Sequence, residues 1–145
     1  MYKPISTTSA RQTMILGFRL AKQLKGGEIL SLVGDLGAGK TTFLKGLARG
    51  LKVKQHITSP TFVLMKIYPS KRRSIKKFVH VDCYRVAAKE FNNIGLGDYL
   101  GRPDTVVAIE WADKLKLKNH KVITIFFRHG KKDNERTIIW KSQTR

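Results

Sequence analysis

Acidic residues are scarce in this chain. Asp and Glu together number 10 against 29 Lys and Arg among 145 residues, leaving a formal charge of +19 and a pI near 10.4. That excess is larger than solubility asks of a small domain, so it points to an anionic partner. Cysteine is nearly absent: Cys83 stands alone, which excludes a disulfide framework and a Cys-x-x-Cys metal knuckle and suits a reducing cytoplasm. No apolar run approaches the ~18 residues of a membrane span, and the first residues lack the charged-then-apolar order of a secretory signal. A cytoplasmic protein is therefore expected. No internal repeat, linker or low-complexity tail divides the sequence, so one domain over 1–145 is expected. Its 41% apolar content is enough for a core without disulfides or structural metal.

The positive charge is unevenly spread. Lys66, Lys71, Arg72, Arg73, Lys76 and Lys77 cluster in one segment, and Lys114, Lys116, Lys118 and Lys121 in another. Neither run interleaves aromatics as a base-stacking surface does, and charge runs commonly line a solvated face. Direct nucleic-acid contact and a solvated face are both open readings.

What the chain does have is Gly34-Asp-Leu-Gly-Ala-Gly-Lys40-Thr41-Thr42 directly after an apolar run from Ile29 to Val33. The pattern is G-x-x-x-x-G-K-[ST], a P-loop, in the strand–loop–helix setting it requires. Glycines at 34, 37 and 39 allow tight turning, so that successive backbone N–H groups converge on phosphate oxygens at a helix start. Asp35, Leu36, Gly37, Ala38, Gly39, Lys40, Thr41 and Thr42 are the expected nucleotide-binding residues. Lys40 would reach the β/γ-phosphates and the Thr41 hydroxyl Mg²⁺.

Oxygens of Ser6 to Ser9 offer N-caps for an amphipathic helix to Leu24, with Met14, Phe18 and Ala21 on one face and Leu16, Leu20 and Leu24 beside it. Gly26-Gly27 ends it. A strand over 28–33, the P-loop and a helix from about Lys40 to Arg49 follow, with Gly50 placed as a C-cap. Ser59-Pro60 starts an extended segment, and 62–82 reads as a hairpin with a highly charged tip. Short helices are expected over 87–101, then a buried strand Thr105 to Ile109 ending at Glu110-Trp111. A terminal hairpin pairs 121–128 with 136–140. The architecture expected is an α/β P-loop NTPase fold: a central, mostly parallel sheet with added antiparallel strands and few flanking helices.

A P-loop needs an acidic partner for its metal, at the end of a neighbouring strand. Val106-Val107-Ala108-Ile109-Glu110 has the form of a Walker B strand ending in Glu rather than Asp. Glu110 is thus a candidate metal ligand or a solvent-exposed strand end. Asp82, closing Phe78-Val79-His80-Val81, is a candidate for holding a metal-bound water or orienting the attacking water, or a plain strand terminator. His80 reads as a half-buried strand residue or a base. Arg85 reads as a salt-bridge partner of Asp98 or Glu90 or as a cis charge stabiliser, Trp111 as a core residue or a cover for the site, and Thr61 as a γ-phosphate sensor or a turn residue. Lys40, Asp82 and Glu110 are the candidate catalytic set, with Thr41 and Glu110 on the metal.

Together, the P-loop, Ser59-Pro-Thr-Phe62, His80-Val-Asp-Cys-Tyr-Arg85, Ile94-Gly-Leu96 with Asp98-Tyr-Leu100, and Ile109-Glu-Trp111 occur in the order of one family. Over about residues 6–115 the chain closely resembles the TsaE (YjeE) family, small ATPases of bacterial tRNA threonylcarbamoyladenosine synthesis. The resemblance implies a cytoplasmic ATPase that binds ATP and Mg²⁺, is slow alone, and acts with TsaB and TsaD in modifying adenosine 37 of tRNAs reading ANN codons. It implies that Thr41 and Glu110 hold the metal, that Asp82 serves hydrolysis or switching, and that Ser6 to Ala10 lie by the adenine. Cys83 stands where relatives usually have Leu, Ala112-Asp113 where they often have Pro-Glu, and the high charge is not a family requirement. A small-molecule kinase on the same P-loop, with Asp82 as base, and a nucleotide-switched RNA-binding module are the alternative functions.

Overall fold

The computed structural model describes residues 3–58, 65–83, 95–112, 115 and 117–143. Among these, seven strands form one sheet in the order β1-β7-β6-β2-β5-β4-β3. In chain order the elements are β1 (Ile5–Thr7), α1 (Ala10–Gln23), β2 (Ile29–Val33), α2 (Lys40–Gly50), β3 (Met65–Pro69), β4 (Lys77–Asp82), a 3₁₀ turn (Leu96–Asp98), β5 (Thr105–Glu110), β6 (Val122–His129) and β7 (Arg136–Gln143). The four central strands β6, β2, β5 and β4 are parallel; β3 at one side and β7 at the other run antiparallel to them, and β1 runs antiparallel to β7. This is the sheet expected from the sequence, with the N-terminal β1 as an unforeseen addition.

Local signals start and stop the helices. Ser9 caps α1 with its Oγ accepting from Gln12 N at 3.1 Å, and Gln12 Oε1 accepts in return from Thr8 N at 2.7 Å, a reciprocal cap that satisfies donors left over at a helix start. At the far end of α1 the carbonyls of Ala21, Lys22 and Leu24 accept from the guanidinium of Arg72, reaching across from the β3–β4 connection. Gly26 and Gly27, at φ +110° and +90°, then turn the chain into β2, and buried Glu28 braces the turn by accepting from the backbone N–H of Lys25 and Gly26.

α1 and α2 lie side by side and parallel, both starting at the P-loop end. Three glycines set their closeness: a Cβ on Gly17 would fall 2.1 Å from Phe43 O, one on Gly46 1.8 Å from Met14 O, and one on Gly50 2.5 Å from the Ala21 Cβ. Gly50 is therefore a packing glycine inside α2 rather than the expected C-cap, and Lys52 takes the left-handed conformation after the helix, at φ 57°. The pair covers one face of the sheet through Leu16, Leu20, Phe43, Leu44 and Leu47, packed on Leu30, Leu32, Val106, Ala108 and Ile125. Ile29, Val79, Val81, Val107 and Ile109 build the core of the opposite face with Leu96 and Ala112. Phe18, expected on the inner face of α1, is 36% exposed instead, with Lys22 Nζ 4.8 Å above its ring. The close approach fixed by Gly17 rotates the buried stripe onto Thr13, Leu16, Leu20 and Ala21.

The hairpin expected over 62–82 is present as β3 paired with β4, Met65 opposite Val81 and Pro69 opposite Lys77. The strand expected at 121–128 and its partner form the β6–β7 hairpin. Positions 59–64, 84–94, 113, 114 and 116 lie outside the described residues, so the readings of Ser59, Pro60, Thr61, Tyr84, Arg85, Glu90, Ile94, Asp113, Lys114 and Lys116, and of helices over 87–94, fall there.

Candidate functional site

The loop after β2 is shaped by three glycines with different duties. Gly34 is packed so closely on β6 that a Cβ would meet Phe127 O at 2.7 Å. Gly37, at φ +77°, stands in open space, and Gly39, at φ +102°, is the N-cap of α2. Only glycine enters that left-handed region without strain. Asp35, Leu36 and Gly37 are exposed at the tip, Ala38 is buried, and Thr41 and Thr42 are half-buried in the first turn of α2.

No side chain caps α2 at Gly39, and no acidic residue sits in its first turn. The first N–H groups of the helix thus lack a side-chain acceptor at its positive end, the arrangement that receives phosphate. The residues present fit that group.

Lys40 is buried, at 5% exposure. Its Nζ donates to Gly34 O and lies 4.4 Å from the centre of the Trp111 ring, a cation–π contact. Trp111 follows the last residue of β5 with φ 60°, a conformation that costs a non-glycine residue about 1–2 kcal/mol. The kink leaves the indole half-buried across the P-loop lysine. The sequence left open whether Trp111 is a core residue or a cover; it does both, packing against the core cluster of Val81 and Ile109 while its ring faces Lys40.

Sheet register brings the acidic candidates to the same end. Leu32 of β2 pairs with Glu110 of β5, and Glu110 with Asp82 of β4. Strand alternation puts His80, Asp82 and Glu110 on the face that carries α1 and α2. Glu110 is buried, and its Oε2 accepts a hydrogen bond from His80 Nε2 at 2.8 Å. It is therefore no solvent-exposed strand end. His80, expected to be half-buried, is fully enclosed, and its Nδ1 has no partner among the described residues. A carboxylate oriented through one oxygen by an imidazole keeps its other oxygen for a metal or a metal-bound water. With the Thr41 hydroxyl this is a hard-oxygen pair of the kind Mg²⁺ takes alongside water and phosphate. Asp82 is half-buried at the end of β4 and engaged in interactions of its own.

One residue at the site was not anticipated from the sequence. Arg136, the first residue of β7, donates from Nη2 to Gly37 O at 3.0 Å and from Nη1 to Asp133 O at 2.6 Å and Glu135 O at 2.8 Å. The contact bridges 99 positions, and nothing in the spacing of the hairpin signals it. Arg136 pairs in register with Thr7 of β1. Thr7 Oγ1 bonds Thr13 Oγ1 at 2.7 Å, and Thr13 Cγ2 lies 3.6 Å from where a Cβ of Gly39 would stand. The Ser6–Ala10 stretch thus borders the P-loop.

Of the six cations clustered in the hairpin segment, three are used internally. Lys66 Nζ donates to Thr58 Oγ1, Arg72 holds the end of α1, and Lys77 Nζ sits 5.6 Å over the Tyr99 ring. Lys71, Arg73 and Lys76 are exposed. No helix among the described residues is long and apolar enough to cross a membrane.

A family model described as threonylcarbamoyl adenosine biosynthesis protein TsaE matches residues 7–138. The chain is 43% identical over 100 residues to the tRNA threonylcarbamoyladenosine biosynthesis protein TsaE of Streptomyces coelicolor, covering 68% of this chain and 66% of that one, just under two thirds of the relative. It is 35% identical over 134 residues to the protein of the same description from Bacillus subtilis, covering 91% and 80%. The crystal structure of YdiB from Bacillus subtilis superposes with a TM-score of 0.73 at 31% identity, covering 98% of this chain and 87% of that one. The P-loop strand, the acid-tipped neighbouring strand and these matches lead to one conclusion: the chain belongs to the TsaE family.

Proposed function

We propose that this protein binds ATP with Mg²⁺ at the P-loop and hydrolyses it in support of threonylcarbamoyladenosine formation at position 37 of tRNAs reading ANN codons, together with TsaB and TsaD. The observation that carries the reading is the meeting of an uncapped P-loop helix with Lys40 and, one strand away, the buried Glu110. The relatives' role in tRNA threonylcarbamoyladenosine biosynthesis supplies the pathway.

In this reading the backbone N–H groups from Asp35 to Thr42 and the Lys40 ammonium bind and orient the phosphates. Lys40 must leave Gly34 O to do so, and the Trp111 ring keeps it desolvated and close. Thr41 and Glu110 would hold the metal, which would supply charge neutralisation at the phosphates. His80 fixes the Glu110 carboxylate, and Asp82, its neighbour in register, orients the attacking water. Arg85 is the cation the sequence offers for developing charge; in this reading turnover is slow alone and is raised by TsaB–TsaD.

The test is ATP turnover with Mg²⁺ by the purified chain, alone and with TsaB–TsaD, alongside Lys40→Ala and Glu110→Ala. Stimulation by the partners that both substitutions remove is the expected result. Turnover that is fast alone and indifferent to the partners, or that survives Lys40→Ala, refutes it.

A further inference from the structure

The acid scarcity of the sequence has a spatial form. Neither the chain up to Gly27 nor the stretch from Leu36 to Val81 contains a single Asp or Glu. Those stretches supply α1, α2 and the β3–β4 hairpin, whose far ends meet at one pole of the molecule, where β2, β4 and β5 begin. The P-loop occupies the other pole, where β2 ends. A five-residue strand and the 11-residue α2 each put about 16–17 Å between the two poles.

The hairpin tip is stitched to three other segments at this pole. Arg72 ties the hairpin tip to the end of α1. Ser70 Oγ donates to Leu51 O, and Lys71 N donates to Lys52 O at 3.2 Å, which ties the tip to the end of α2. Lys76 N donates to Asp104 O at 2.7 Å at the entrance of β5. The stitching uses the side chains of Ser70 and Arg72 together with backbone groups, and it leaves Lys22, Lys25, Lys52, Lys71, Arg73 and Lys76 exposed. The described acids near them are already committed: Glu28 is buried under backbone donors with Lys121 Nζ 3.5 Å away, and Asp104 accepts from Thr105 Oγ1 at 2.9 Å. The negative ends of the two helix dipoles account for a preference for Lys22 and Arg49 in the last turns. They do not account for the exposed hairpin cations, which belong to neither helix.

We propose that this basic pole is a docking surface for the phosphate backbone of structured RNA, separate from the nucleotide site. The hairpin's aromatics favour a duplex over a single strand. Tyr68 and Phe78 are buried and stacked on each other at 6.1 Å, so the hairpin presents cations without the exposed rings on which single-stranded bases stack. A surface of that kind reads phosphate position and helix shape. The choice of tRNA as the RNA rests on the function proposed above; the surface itself does not.

The experiment measures binding of an unmodified tRNA transcript to the full chain across a salt series, for the wild type and two triple variants. Lys71→Glu/Arg73→Glu/Lys76→Glu alters the basic pole and spares Arg72. Arg128→Glu/Lys131→Glu/Lys132→Glu removes equal charge at the P-loop pole. MgATP binding and thermal melting of each variant report folding and keep the nucleotide reading separate. The expected result is a loss of at least tenfold in the first variant only, with a salt slope shallower by about 2–3, since each phosphate contact contributes about 0.7–0.9. Equal losses in both variants, an unchanged slope, or no tRNA binding by the wild type overturns the proposal. So does intact tRNA binding alongside lost binding to TsaB–TsaD, which reassigns the pole to a protein contact.

Discussion

Replacing Gly46 by alanine sets two physical effects against each other. In an exposed helix the substitution stabilises by about 0.8–1 kcal/mol, because alanine loses less backbone entropy. In α2 the added Cβ would stand 1.8 Å from Met14 O and 2.6 Å from Met14 C, backbone atoms of α1 that no rotamer change can remove. Restoring contacts to roughly 3.5 Å requires α1 to retreat by about 1.7 Å. Overpacking of this kind costs about 3 kcal/mol or somewhat more, and the propensity gain offsets only about one. A net loss near 2 kcal/mol is expected, which for a chain of this size lowers Tm by about 5–8 °C. Urea titration with a second probe, such as far-ultraviolet circular dichroism, gives the same quantity from the midpoint at constant m. Because Thr13, next to Met14, borders Gly39, MgATP affinity falls as well. A variant as stable as the wild type, or more so, would refute the claim that glycine sets the helix spacing.

Other substitutions probe other parts. Arg72→Ala strips three carbonyls at the end of α1 of their donor and is expected to cost about 1–3 kcal/mol; faster amide exchange in the last turn of α1 is the readout, and Arg72→Lys does not restore protection because it lacks the fork. Glu28→Ala leaves the N–H groups of Lys25 and Gly26 without their acceptor at the turn into β2, with an expected loss of about 1–3 kcal/mol by urea titration. Arg136→Ala frees Gly37 O, so MgATP affinity measured by calorimetry drops severalfold while Tm changes by only a few degrees; unchanged affinity would show that the contact is incidental. His80→Ala strands the buried Glu110 carboxylate and costs about 2–3 kcal/mol, a loss that His80→Gln recovers in part by supplying an N–H donor.

Much of this was legible in the residues. The P-loop announces itself because phosphate recognition fixes glycine, lysine and threonine at set spacings. The all-buried β5 run ending in Glu110 announces a central parallel strand, since only such strands are apolar on both faces. The Gly26-Gly27 break and the Ser9 cap are equally local. What stayed hidden depends on distance in sequence. Phe18 has the right period for the core, but the tight contact at Gly17 turns it outward. Gly50 looks like a terminator, yet its role is set by Ala21 on another helix. Arg72 reads as one cation in a run, and only the fold shows that it is spent on a helix end. β1 is three residues long, too short for alternation to mark it. Arg136 touches the P-loop through a pairing that spans nearly the whole chain.

That last contact has a consequence for the order in which the protein comes into being. The loop that starts at Gly34 is walled by Phe127 of β6 and held by Arg136 of β7, while the N-terminal β1, among the described residues, pairs with β7 alone. Chains emerge from synthesis N-terminus first, so the P-loop sequence exists long before its enclosure does. A nascent chain lacking the terminal hairpin carries the motif without its walls, and the loop is enclosed only when β7 has paired with β1.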